Sequence, residues 1–384
     1  FMPDISKAFE HVEHGVLVEA ARVHGFSMML ISWLIKLYQM ARVVSFQDAL
    51  SDVVRATRSV VPGSSHADVA MKLLLLTPIV GCRGHYPTVM LSCVVDDIQG
   101  LAHASSVDEV ARLVASSSQY LVDVLQNVSK LPISVPKLAV ISSSTFMERS
   151  IARRSALLRR STSATVRNLG MDSAAGARRY HVVRKKRLKD ATAKARRLSS
   201  LGKVGKATSH VARSSIVNGA LFGVSVTGLQ ATHLAQLRRT IHRCIVKQPR
   251  GRSATMDMAR FPGLDPAFMA IGGPIVMLAT GFQDGWVGRP MVHAAAQAAL
   301  RHDIRQVRHA AGPVGVALAC LWKIRWSVID VASPMVWRCC RGITVDLAVM
   351  SPHSVRQLVN FSIEELLWSE AARHSAFAHL TCPP

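Results

Sequence analysis

Two short apolar runs, Thr88 to Val95 and Ile98 to Ala102, are separated only by the acids Asp96 and Asp97. Runs of this length suit strands better than buried helices, and two charges between them predict the tip of a β-hairpin. This hairpin constrains the fold because helical patterns flank it on both sides, which calls for a sheet covered by helices.

Upstream, residues 1 to 9 read as the end of a strand, and His14 to His24 place Leu17, Val18, Ala20 and Ala21 at helical spacing before Gly25. Ser27 is placed to cap a second helix running through Met40, with Leu30, Ile31, Leu34, Ile35 and Tyr38 on one face. Residues 42 to 46 and 52 to 60 look extended, Pro62-Gly63 breaks the chain, and Ala67 to Leu76 resumes as an apolar helix. Downstream, Ser106 caps a helix reaching about Val128, and Leu138 to Ile141 is a short strand. The chain is then basic and mostly helical to about residue 250. Beyond it, Pro262-Gly263, Gly272-Gly273-Pro274 and Gly312-Pro313 interrupt a further helical region. This order predicts an α+β fold, an antiparallel sheet with packed helices, divided as residues 1–150, 151–250 and 251–384.

The formal charge is +23, and it is unevenly spread. Residues 1 to 148 carry a net −2, whereas residues 149 to 206 hold 18 basic side chains against two acids, a net +16. Charge of one sign repels itself unless a polyanion neutralises it, so nucleic acid is the expected partner. Arg178, Arg179, Arg184, Lys185, Lys186 and Arg187 form the densest group. Such a stretch can be a solvated helix face, a nuclear localisation signal or a phosphate-binding surface.

The longest apolar stretches, such as Phe268 to Phe282, are shorter than the roughly 18 to 20 residues that span a bilayer, so no membrane partner is expected. No secretory signal opens the chain, and its seven cysteines lack paired spacing, which suggests a reducing compartment, cytoplasmic or nuclear. Cys339, Cys340, His374, His379 and Cys382 fit no zinc-finger spacing.

The sequence Asp4-Ile-Ser-Lys-Ala-Phe-Glu-His-Val-Glu-His14, with Ala8, Phe9, His14 and Leu17, resembles the first palm motif of reverse transcriptases. Gly25-Phe26-Ser27 and Leu30-Ile31-Ser32-Trp33-Leu34 are similar to the helical connector that follows it in non-LTR retrotransposon enzymes. Val94-Val95-Asp96-Asp97, 92 residues beyond Asp4, resembles that family's aspartate-pair motif. Two adjacent acids alone are usually just a solvated turn; order and separation give the pair its weight. Pro136-Lys137-Leu138-Ala139-Val140 resembles the fourth motif, and Asn168-Leu169-Gly170 looks like the Leu-Gly of the primer-grip hairpin. The resemblance covers roughly residues 2 to 172, and to about 250 by order only.

The resemblance implies a polymerase palm, followed by a mostly helical basic thumb and a helical C-terminal region. It implies an RNA-directed DNA polymerase that takes an RNA template, a DNA primer and dNTPs. Nucleotidyl transfer uses hard divalent ions, Mg²⁺ or Mn²⁺, held by carboxylates on neighbouring strands. Asp4 and Asp96 would be shared ligands with Asp97 close by, and Lys137 would protonate the leaving pyrophosphate. Phe9 would crowd a ribose 2′-hydroxyl, the bland alternative being a core Phe, and Gly63 would let template or nucleotide approach. Glu10, Pro62 and Val94 replace the family's Asp, Gln and aromatic residue. The fingers that precede the first motif in the family are expected to be missing, which would impair activity. Two other readings are a non-catalytic basic nucleic-acid-binding protein and a remnant of a retroelement without a role of its own.

Overall fold

The computed structural model describes residues 1–47, 49–163, 165–168, 170–174, 182–201, 208–246, 253–260, 262–301 and 307–373. The fold is α+β and 60% helical, so helices bury most of the core and the sheets are small. It divides into two compact units, Phe1–Leu169 with Ser173–Arg178, and Gly170–Asp172 with Arg179–Pro384.

The first unit contains α1 (His14–Val23), α2 (Met28–Gln39), β1 (Ser45–Phe46), β2 (Ala49–Leu50), α3 (Ala67–His85), β3 (Val89–Val94), β4 (Asp97–Ala102) and α4 (Val107–Asn127). β5 (Val140–Ile141), α5 (Thr145–Arg154), β6 (Thr162–Ser163) and β7 (Thr165–Asn168) follow. β3 and β4 form the predicted antiparallel hairpin, with Val94 opposite Asp97 and Val89 opposite Ala102. Its far edge is extended by the N-terminal segment, whose Phe1 carbonyl accepts from Gly100 N at 2.8 Å. That segment bridges onward, Met2 to Ala139 and Ile5 to Ile133, both antiparallel. β5 then pairs with β6 in parallel, Val140 opposite Thr162. The result is a platform of short extended pieces with the N-terminal segment in its middle.

Ile98 and Gly100 of β4 are buried while Asp97 and Leu101 are exposed, the period-two alternation of a half-covered strand. Gly100 is required where it stands: a Cβ there would lie 2.2 Å from Cζ of the Phe1 ring. Helices α3 and α4 cover the hairpin, burying Met71, Leu74, Leu75, Leu121 and Leu125 with Val89 and Ile98. The Ser27 hydroxyl accepts from Leu30 N and the Ser106 hydroxyl from Glu109 N, so both predicted N-caps are formed. On α2 the buried face is Ile31, Leu34 and Tyr38, whereas Leu30, at 55% exposure, falls outside it.

The expected end of α3 at Leu76 is too early, because the helix runs through Pro78 to His85. Proline deprives the Leu74 carbonyl of its usual i+4 donor. The buried Ser129 hydroxyl donates to that carbonyl at 2.9 Å, replacing the lost bond and letting the helix continue.

In the second unit the elements are α6 (Val182–Leu201), α7 (Thr208–Val211), α8 (Asn218–Leu221), α9 (Val224–Thr227), α10 (Ala231–Ile245) and α11 (Ala254–Arg260). After them come α12 (Gly273–Gln283), α13 (Arg289–Leu300), α14 (Gly312–Lys323), β9 (Ser327–Val328), β10 (Val336–Arg338), β11 (Thr344–Asp346) and α15 (Pro352–Ala372). β8 (Met171–Ala174) straddles the boundary between units. The mostly helical prediction for residues 142 to 250 omits β6, β7 and β8, where Thr162, Thr165 and Val166 supply the β-branched side chains that favour strands. The helical prediction for residues 251–384 likewise omits the three-stranded sheet β11-β10-β9. That sheet hangs on Trp326 and Trp337, both fully buried with their N–H groups satisfied by Ser362 Oγ at 2.8 Å and Pro334 O at 2.9 Å. Among the described residues no helix is long and apolar enough to cross a membrane.

Candidate active site and basic surface

The hairpin turn consists of Val95 and Asp96, between the paired Val94 and Asp97. Val95 sits at φ 59, a left-handed conformation that a β-branched residue rarely adopts and that costs of order 1–3 kcal/mol. The Cys93 thiol donates to the Val95 carbonyl at 3.3 Å and helps hold the turn. Asp96 is thereby presented half-buried at the tip, with Asp97 exposed beside it.

Asp4 comes from the segment hydrogen-bonded to β4. Its carbonyl accepts from Ser134 N at 2.8 Å, and its carboxylate Oδ2 accepts from Lys137 Nζ at 3.2 Å. Lys137 ends the 3₁₀ turn Val135–Lys137, so residues 133 apart in the chain form one ion pair. The lysine side chain is 68% exposed, and a pair this open to water contributes about 0–1 kcal/mol.

The Asp97 carboxyl is raised above the usual carboxylate range, first by partial burial and then by the charges of Asp96 and Asp4. The Cys93 thiol is also raised, by burial and then by Asp96 and Asp97. Asp96 and Asp4 thus both lie within electrostatic reach of Asp97. Among the described residues, however, no group of three or more His, Cys, Asp or Glu side chains stands close enough to hold a metal ion as arranged. Carboxylate oxygens suit a hard divalent ion in kind; Lys137 offsets part of the charge on Asp4, and the arrangement would have to draw together to bind one.

Phe9 is half-buried against the core of the first unit, in the 3₁₀ turn Ala8–His11. Its carbonyl accepts from Val60 N at 2.9 Å, and the Val12 carbonyl accepts from Ser59 N at 2.7 Å, so the segment leading to Gly63 runs beside the Phe9 turn. Gly63 is exposed at φ 83, a conformation that favours glycine, with open space where a Cβ would point. Among the described residues no hydrogen bond or ion pair ties Phe9 or Gly63 to the three acids.

The basic group divides. Arg178 and Arg179 lie outside the described residues. Arg184 is buried at 8% exposure, and its guanidinium donates to the Gly228 carbonyl and the Thr227 hydroxyl. Arg187 is half-buried, donates to the carbonyls of Phe222 at 3.0 Å and Gly170 at 2.8 Å, and lies 4.5 Å over the Phe222 ring. These two arginines hold the second unit together, a role that the grouping by charge hid. Lys185 and Lys186 are exposed, where phosphates can reach them. The signal was in the spacing: Arg184 is in register with Leu188, Ala191, Ala195 and Leu198, the buried stripe of α6. Of the pair that resembles the primer-grip Leu-Gly, Leu169 lies outside the described residues and Gly170 stands at φ 76.

Gly100, which positions the Asp4 segment, escaped the sequence reading although a lone glycine inside a strand often marks close approach of another chain segment. No protein-family profile matches the chain, and no curated protein is similar enough to it to count as a relative.

Proposed function

We propose that the chain is an RNA-directed DNA polymerase of the non-LTR retrotransposon type, its first unit serving as the palm. The observation that carries this reading is the placement of Asp96 and Asp97 at a hairpin whose edge is extended by the segment bearing Asp4, so that the charges of Asp96 and Asp4 both act on Asp97. Aspartates on neighbouring extended segments are what two-metal nucleotidyl transfer needs.

In this reading Asp4, Asp96 and Asp97 would hold Mg²⁺ or Mn²⁺, which when bound neutralises the triphosphate and acidifies the primer 3′-hydroxyl. Lys137, anchored on Asp4, delivers a proton to the departing pyrophosphate. Phe9 excludes the 2′-hydroxyl of a ribonucleotide, and Gly63 leaves room for the template or nucleotide backbone. Lys185 and Lys186 take phosphates of the template and primer strands.

A second reading is a non-catalytic nucleic-acid-binding protein. It is favoured by the spacing of the acids and by Lys137, which already neutralises part of their charge. Incorporation of dNTPs on a primed RNA template separates the two. The polymerase reading expects incorporation that needs Mg²⁺ or Mn²⁺ and is abolished in Asp96→Ala. Template binding without incorporation, equal in both proteins, sinks it in favour of the second.

A further inference from the structure

The second unit contains a cavity of about 520 Å³ whose lining includes two arginines, Arg213 and Arg356, and no acid. Neither guanidinium has a hydrogen-bond or ion-pair partner among the described residues. Two like charges facing one cavity repel each other, and a bound anion relieves that cost while gaining charge-assisted hydrogen bonds.

The backbone around the cavity is unusual in the same places. Arg213 sits in the π-helical segment Ala212–Val217, and Phe268 opens a second one, Phe268–Gly272. Such segments are rare and gather at functional sites. Gly273, just after the second segment, lets α9 come close: a Cβ there would stand 2.9 Å from Ser225 Oγ. Arg356 and Asn360 are four residues apart on α15 and share a face.

The rest of the lining suits more than a bare anion. Ser225 and Asn360 offer a hydroxyl and an amide, and Phe268 and Trp286 offer aromatic faces, with Trp286 66% exposed. The volume lies in the roughly 300–1,000 Å³ range that takes a whole small ligand. Aromatic faces stack nucleobases and arginines take phosphates, and this cavity is lined by both.

We infer that this cavity binds one nucleoside monophosphate unit, free or within a single strand, with its phosphate on Arg213 and Arg356 and its base on Trp286. The inference does not depend on the polymerase reading, since it uses none of the acidic residues. Calorimetric titration of the full chain with dAMP, deoxyadenosine, inorganic phosphate and a short oligodeoxyadenylate tests it.

The expected result is saturable binding of dAMP at one site, with inorganic phosphate and deoxyadenosine each at least roughly tenfold weaker. Arg213→Gln and Arg356→Gln, which change exposed residues, should each weaken dAMP about tenfold or more. Trp286→Ala should weaken dAMP and leave phosphate unchanged, and a control at the exposed Arg112 of α4, Arg112→Gln, should bind dAMP as the unaltered chain does. An oligonucleotide that binds more tightly through the same arginines assigns the cavity to a strand, and one that is excluded assigns it to a free nucleotide, either of which upholds the inference. It is overturned by absence of saturable dAMP binding, by phosphate binding as tight as dAMP, or by affinity that neither arginine variant changes.

Discussion

Arg184 and its neighbours Lys185 and Lys186 are adjacent in sequence and alike in charge, yet they should fail in opposite ways when removed. Arg184 is buried and makes two hydrogen bonds from a charged donor, to Gly228 and Thr227. At the low end of about 1.5–3 kcal/mol for each such bond, Arg184→Ala should cost about 3 kcal/mol or more. For a unit of this size that corresponds to a fall in Tm of roughly 6–12 °C. Lys185→Ala/Lys186→Ala alters two exposed residues, and its stability should stay within about 0.5 kcal/mol of the unaltered chain. Its effect belongs to binding: each lost phosphate contact lowers the slope of log K against log salt by about 0.7 on a single strand or 0.9 on B-form DNA. Thermal unfolding, paired with nucleic-acid binding across a salt series, separates the effects. The reasoning is refuted if Arg184→Ala keeps its Tm while losing affinity, or if the lysine pair unfolds the chain without changing the slope.

Other perturbations probe the packing and the acids. Gly228 and Gly312 share nearly the same φ, 66 and 65, but a Cβ at Gly228 would lie 2.5 Å from Val307 Cγ1 and 2.8 Å from Val316 Cγ1, whereas none is near at Gly312. Urea denaturation should therefore show Gly228→Ala costing about 1–3 kcal/mol more than Gly312→Ala; equal costs would mean that the valines simply move aside. The raised Asp97 carboxyl holds its proton more tightly than the ordinary 3.8, so above its folded value it subtracts stability, and that loss is lifted as pH falls. Asp97→Asn should have a higher Tm than the unaltered chain at pH 7, the gap closing toward pH 4 in a scanning fluorimetry series, and Mg²⁺ should raise the Tm of the unaltered chain more than that of the variant. Arg238 Nε donates to Oδ1 of the fully buried Asp265 at 3.0 Å, where Ala267 N also donates at 2.8 Å, and Oδ2 has no hydrogen-bond partner among the described residues, so Arg238→Met should cost about 3–5 kcal/mol in chemical denaturation.

The elements legible in the sequence were those whose signals are local. Ser27 and Ser106 announce helix starts because a cap is a bond within one turn, and Asp96-Asp97 between apolar runs announces a hairpin because alternation and turn lie side by side. The acids of the candidate site were legible by type and order, though their separation in space depends on backbone that no spacing encodes, such as the Phe1 ring against Gly100. What escaped was non-local. From 55 residues away Ser129 reaches the Leu74 carbonyl that Pro78 leaves free, and the sheet β9–β11 owes its place to two buried tryptophans, one of them bonded to Ser362 of α15. Arg184 was misjudged because charge was weighed before helical register, and its partners Thr227 and Gly228 lie more than 40 residues downstream.

The central claim is that Asp4, Asp96 and Asp97 form a divalent-cation site, and Mn²⁺ titration followed by electron paramagnetic resonance tests it most directly. The account predicts saturable Mn²⁺ binding to the unaltered chain that is lost in both Asp4→Asn and Asp96→Asn while the fold is retained. Binding that neither substitution alters, or no saturable binding at all, would contradict it.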